Sequence, residues 1–149
     1  MSRLDYNPVT RFFLDFNPPT VTHQEHKIRV IYDKVKKKHI PMTYEPEELK
    51  TARELYLAHL NQHRLPDPLL GPVALMVQWR FLTARKKLDQ MWKTTKPDTD
   101  NLNKLLKDCM TLTGFWEDDA QVVHEAISKI WVMHDPGIMI SIYDLSGKE

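Results

Sequence analysis

Lys96-Pro97-Asp98-Thr99-Asp100-Asn101-Leu102-Asn103-Lys104-Leu105-Leu106-Lys107-Asp108 is the stretch on which the rest of the chain turns. Leu102, Leu105, Leu106, Cys109 and Met110 recur at helical intervals and predict one apolar helix face. Asp100, Lys104, Lys107, Asp108 and Thr111 fall on the other side. Pro97 and Asp98 suit the start of that helix, and Gly114 suits the residue just past its end. Two acids therefore stand at a helix start, with Lys104 one turn inside. A second acidic knot, Glu117-Asp118-Asp119, follows behind Gly114-Phe115-Trp116.

The same residues fit two pictures. In the plainer one, Asp98 or Asp100 caps the helix, Asp100 and Lys104 form an (i, i+4) pair, and Asp118-Asp119 sits in a turn. In the other, folding brings the two knots together around a divalent cation. Two like charges ~5 Å apart repel by about 3 kcal/mol at an effective dielectric near 20, so clustered carboxylates need a cation, a proton or a lysine between them. Mg²⁺ favours oxygen ligands and keeps several waters, which two or three Asp side chains can provide for.

The run Lys96-Pro97-Asp98-Thr99-Asp100-Asn101-Leu102-Asn103-Lys104 with Asp108, then Gly114-Phe115-Trp116-Glu117-Asp118-Asp119-Ala120-Gln121-Val122, resembles the signature of RusA-type Holliday-junction resolvases. That pattern runs approximately K-P-D-x-D-N-L-x-K-x-x-x-D, then G-x-W-x-D-D-x-Q-V. Pro18-Pro19-Thr20, Tyr44-Glu45-Pro46 and Gly71-Pro72-Val73 are compatible with it. The resemblance implies a small α+β domain, a mixed β-sheet flanked by helices, acting as a two-fold homodimer on junction DNA and often of phage or prophage origin. By position it implies a catalytic set of Asp98, Asp100, Lys104 and Asp119. Asp98, Asp100 and Asp119 would hold Mg²⁺ or Mn²⁺, with Asp118 in reserve.

Along the rest of the 149 residues one domain, 1–149, is expected, with residues 1–20 a loop or short edge strand. Core packing is expected for Phe13 to Phe16, with packing across a partner subunit as the alternative. Residues 26–32 alternate as a strand, Lys34-Val35-Lys36-Lys37-Lys38 reads as a basic hairpin tip, and residues 40–44 return as its partner. Pro46 opens a helix carrying Leu49, Ala52, Tyr56 and Leu60. Residues 64–72 are a loop, and Val73, Leu75, Val77, Trp79 and Phe81 mark the clearest strand. Residues 84–91 form a short basic helix or loop. Trp92 is assigned to the core, with stacking on a base as its alternative. Val122 to Trp131 fits a helical period, but the resemblance implies a strand. Asp135-Pro136-Gly137 is a turn before a last strand through Ile138, Ile140 and Ile142.

Charge is unevenly spread. Residues 76–107 carry eight Lys or Arg against three acids, and residues 108–149 carry two against eight. A basic band beside an acidic end suits a nuclease, with cations for the phosphate backbone and acids for a metal. Lys36, Lys37, Lys38, Arg85, Lys86, Lys87, Lys93 and Lys96 are the expected DNA contacts. Cys109 stands alone, no run approaches a membrane span, and no signal-peptide core is present, so a reducing cytoplasm is expected. The expected activity is Mg²⁺-dependent resolution of Holliday junctions by paired nicks in recombination and repair. The alternative is a catalytically silent protein that binds branched DNA.

Overall fold

The computed structural model describes residues 7–20 and 27–147. His26, expected to open the first hairpin strand, lies outside them, as do residues 1–6. The described strands are β1 (Thr10–Leu14), β2 (Lys27–Asp33), β3 (Lys38–Tyr44), β4 (Val73–Leu82), β5 (Val122–Val132) and β6 (Gly137–Asp144). The helices are α1 (Glu47–Asn61) and α2 (Thr99–Thr113), with 3-10 turns at Lys86–Leu88 and Asp119–Gln121.

One mixed sheet runs in the order β1-β6-β4-β5, and β2 and β3 form a separate antiparallel hairpin. The pairs β1–β6 and β4–β6 are antiparallel, while β4 and β5 are parallel. Parallel neighbours need a long crossover, and here α2 provides it. The segment 122–132 satisfied both a helical and a strand pattern. Pairing of β5 along all of β4 settles it as a strand, because β-branched residues on a pleated edge serve both neighbours and faces.

Both helices pack on one face of the sheet. Leu49, Ala52, Tyr56 and Leu60 of α1 and the five apolar residues of α2 are buried with Val73, Leu75, Val77, Trp79 and Phe81 of β4. Ile138, Ile140 and Ile142 of β6 and Phe12 and Leu14 of β1 complete this layer. Tyr56 meets Trp79 edge-on, with ring centroids 6.5 Å apart. Phe16 packs against the core from its margin, as expected, while Phe13 is half-buried. Cys109 is fully enclosed, and burial pushes its thiol up to about 12, so it remains neutral and inert.

Gly114 ends α2 at φ 88°, in the left-handed region, where its N–H bonds back to the Met110 and Thr111 carbonyls. That reversal drops Phe115 and Trp116 into the core, and Trp116 Nε1 donates to Thr111 Oγ1 at 2.7 Å. A Cβ on Gly114 would meet nothing within 4 Å. Gly114→Ala should therefore cost only the backbone penalty, about 1–2 kcal/mol by chemical denaturation. An unchanged unfolding midpoint would contradict the assigned role of this residue.

Candidate active site

After β4 the chain doubles back along the outer edge of β5 before it enters α2. Gln90 N–H bonds to Trp131 O at 2.8 Å, Trp131 N–H to Met91 O at 2.9 Å, and Lys93 N–H to Lys129 O at 3.0 Å. Asp89 Oδ1 accepts from Met133 N–H at 2.9 Å. This strap seals half of an otherwise open sheet edge and delivers residues 95–97 to the mouth of α2. Lys129 Nζ, rising from β5, donates to Thr95 O and to Pro97 O, each at 2.8 Å.

Asp98 occupies the N-cap position of α2, yet its side chain makes no capping hydrogen bond. An aspartate at that position ordinarily accepts from the first free N–H groups of the helix. Its exposed carboxylate is left for another partner. Asp100 lies in the first turn and Lys104 one turn on, both exposed and joined by no ion pair among the described residues. The capped-helix picture with its (i, i+4) pair therefore does not hold at this end. The helix dipole offsets part of the repulsion between the two acids, since its N-terminus carries partial positive charge.

The second knot is built differently. Asp118 caps the 3-10 turn, accepting from Ala120 N–H at 2.8 Å. Gln121 completes the box: its Oε1 accepts from the N–H groups of Glu117 and Asp118 at 2.9 and 3.0 Å. Its Nε2 donates to Leu69 O and Gly71 O at 2.8 and 3.0 Å. One acid of the pair is thus committed to local structure, while Asp119 is half-exposed at the start of the turn. Asp119 borders an open cavity of about 490 Å³ shared with Arg53, Asp108, Thr111 and Glu117. Arg53 is held by Glu45 at 2.7 Å, and this hydrogen bond raises its pKa.

These contacts set Asp119 beside the second half of α2, whereas Asp98 and Asp100 stand at its start. From residue 98 to residue 108 a helix rises roughly 15 Å. Ligands of one Mg²⁺ sit ~2.1 Å from the ion, a far shorter reach than that rise. Consistent with that, no group of three or more His, Cys, Asp or Glu comes together as a metal cluster among the described residues. Asp98 and Asp100 stand at the start of α2, and Asp119 lines the cavity beside Asp108 and Thr111.

The basic residues also divide. Lys36, Lys37 and Lys38 are exposed at the β2–β3 tip, where Asp33 Oδ1 accepts from Val35 and Lys36 N–H groups and Lys37 takes a left-handed φ of 54°. Arg85, Lys86 and Lys87 are exposed around the first 3-10 turn, and Lys96 is exposed beside Pro97. Lys93 differs: it is 7% exposed, lies over Trp131 and Phe81, and donates to Thr95 Oγ1 at 2.6 Å. Burial, then the nearby Lys129 charge, lowers its pKa. Held in this way, Lys93 supports the strap.

Trp92 corrects the core assignment made from sequence. It is 71% exposed, because the strap pairs with Ile130 at the sheet margin and turns this side chain away from the core. Sequence reasoning also passed over Gln121 and Lys129. The spacing Asp118-x-x-Gln121 is a capping-box signal that was legible. Lys129 had no such signal, since its partners are carbonyl oxygens 34 and 32 residues away.

A family model described as Endodeoxyribonuclease RusA matches residues 18–143. The crossover junction endodeoxyribonuclease rusA of Lactococcus phage r1t is 39% identical over 59 residues, 40% of this chain and 45% of that protein. The chain therefore spans less than half the length of that relative. The uncharacterized protein YqaN of Bacillus subtilis (strain 168) is 29% identical over 113 residues, 68% of this chain and 78% of its own length. With the α2 acids, the second knot and nearly the whole described fold inside the matched residues, the chain belongs to the RusA endodeoxyribonuclease family.

Proposed function

We propose that the chain is a divalent-metal-dependent endodeoxyribonuclease that resolves Holliday junctions by paired nicks, in recombination and repair, as a two-fold homodimer in the cytoplasm of a bacterial host or its prophage. The observation that carries this is the uncommitted Asp98 carboxylate beside Asp100, at a helix start that favours negative charge. Among the described residues no helix is long and apolar enough to cross a membrane.

Asp98 and Asp100 would hold Mg²⁺ or Mn²⁺ with Asp119, while Asp118 remains the cap. When bound, the ion supplies Lewis acidity and a water of lowered pKa. Lys104 neutralises charge gathering on the phosphate from its place one turn beyond Asp100. Two α2 helices set antiparallel across a two-fold axis would bring Asp119 of the partner subunit to the Asp98–Asp100 pair, and reciprocally. Two sites in two-fold relation match the two strands a four-way junction requires to be cut.

Lys36, Lys37, Lys38, Arg85, Lys86, Lys87 and Lys96 supply the phosphate contacts. Exposed Trp92, held rigidly by the strap between the last two groups, offers a stacking face for a base unpaired at the branch.

A nicking assay on a synthetic four-way junction with Mg²⁺ tests the activity. Junction bound but uncut by the unaltered protein would favour the silent alternative. Asp98→Asn should lose cutting by on the order of 100-fold or more while keeping junction affinity, or tightening it as repulsion of phosphate falls. Mixing Asp98→Asn with Asp119→Asn chains should restore a single nick, because the mixed dimer holds one intact shared site. No recovery on mixing would place all ligands in one chain.

Trp92→Ala should weaken junction binding by about 1–3 kcal/mol in a titration, with affinity for plain duplex little changed. Equal losses on both substrates would remove the stacking role.

A further inference from the structure

Lys129 points away from the usual partners of a strand lysine. Among the described residues its ammonium closes on no carboxylate; it donates to Thr95 O and Pro97 O, both at 2.8 Å. Those carbonyls flank Lys96 and lie immediately before Asp98. A second ammonium, that of buried Lys93, reaches the same three residues through Thr95 Oγ1 at 2.6 Å. Lys93 is fixed by its own packing, 4.0 Å from the Trp131 ring centroid and 5.1 Å from that of Phe81.

Burial, and then the neighbouring Lys129 charge, disfavour the charged form of Lys93. A turn needing only a hydrophobic plug would not be served by two lysines. Carbonyl oxygens are what these lysines bind, and carbonyl oxygens are what the entrance of α2 presents.

We propose that Lys129 is a positioning residue for the metal-binding acids: it staples the 95–97 turn to β5 and so sets the direction from which Asp98 leaves the helix start. Lys93 braces the same turn from beneath. This rests on the endonuclease reading above, because a preset Asp98 matters only if that carboxylate holds the ion. The staple has a physical purpose. Asp98 has no capping bond to restrain it, so the backbone before it must be restrained instead. A metal ligand displaced by about 1 Å costs on the order of 100-fold in rate, although nothing at the reacting atoms has been removed.

The experiment compares the full-length protein with Lys129→Met and Lys129→Arg in single-turnover cutting of a four-way junction over a Mg²⁺ series. Junction affinity is measured in parallel without metal. Lys129→Met should lower the cutting rate on the order of 10- to 100-fold and raise the Mg²⁺ concentration for half-maximal rate, with affinity unchanged within about twofold. Lys129→Arg, which keeps a charged fork able to reach two carbonyls, should recover most of the rate. Cutting by Lys129→Met at the unaltered rate and metal requirement overturns the proposal. So does a loss of affinity in proportion to the loss of cutting, which would make Lys129 a phosphate contact. Should Lys129→Met not fold, Lys129→Gln decides by the same two outcomes. If the unaltered protein cuts no junction at any Mg²⁺ or Mn²⁺ concentration, the endonuclease reading fails first and the staple falls with it.

Discussion

Burial of one helical stripe governs the geometry of this protein. Leu102, Leu105, Leu106, Cys109 and Met110 are each at most 2% exposed, pressed between α1 and the inner face of the sheet. Each fully buried Leu or Met contributes roughly 1.5–3 kcal/mol. The exposed pair that also ties α2 to β5, Lys107 with Glu125 at 2.6 Å, contributes at most about 1 kcal/mol. Packing therefore decides the rotation of the helix, and the ion pair only follows it. A slip of one residue would turn the helix by ~100°, burying Lys104 and exposing leucines. With the stripe locked, Asp100 and Lys104 have one direction left to them, outward.

The elements that were legible from sequence are those whose own pattern names their environment. Leu49, Ala52, Tyr56 and Leu60 describe one buried face of α1, and all four are buried. The odd residues of β4 describe the core face of a central strand, and Gly114 marks the αL stop of α2. The candidate acids were legible too, as residues at a helix start and in a turn. What was not legible was where the two ends of α2 stand relative to each other. A motif spaced in sequence as one unit is spread along a rigid helix, and spacing alone does not distinguish neighbours from opposite ends.

Trp92 and Lys93 show the same limit at the scale of adjacent residues. A tryptophan is more often buried than a lysine, so composition put Trp92 in the core and Lys93 on DNA. The strap alternates its side chains about the edge of β5, and that alternation turns Trp92 out and Lys93 in. Lys93 goes in because its ammonium lies over the Trp131 and Phe81 rings and still finds Thr95. Trp92, on the opposite side, has nowhere to go but out.

In the proposed arrangement, keeping the acids apart is itself an electrostatic economy. Three carboxylates gathered in one chain would repel one another throughout folding, before any cation arrived. Holding Asp98 and Asp100 at the positive end of α2, and Asp119 at the far end beside Arg53, lets each half fold without a metal. In the proposed dimer the full ligand set exists only once two chains meet, so metal affinity and association are linked: each strengthens the other by mass action. A lone chain with half a ligand set would bind the ion weakly and cut little. A nuclease assembled this way is silent until two copies stand on DNA together, which is also when two matching strands are within reach.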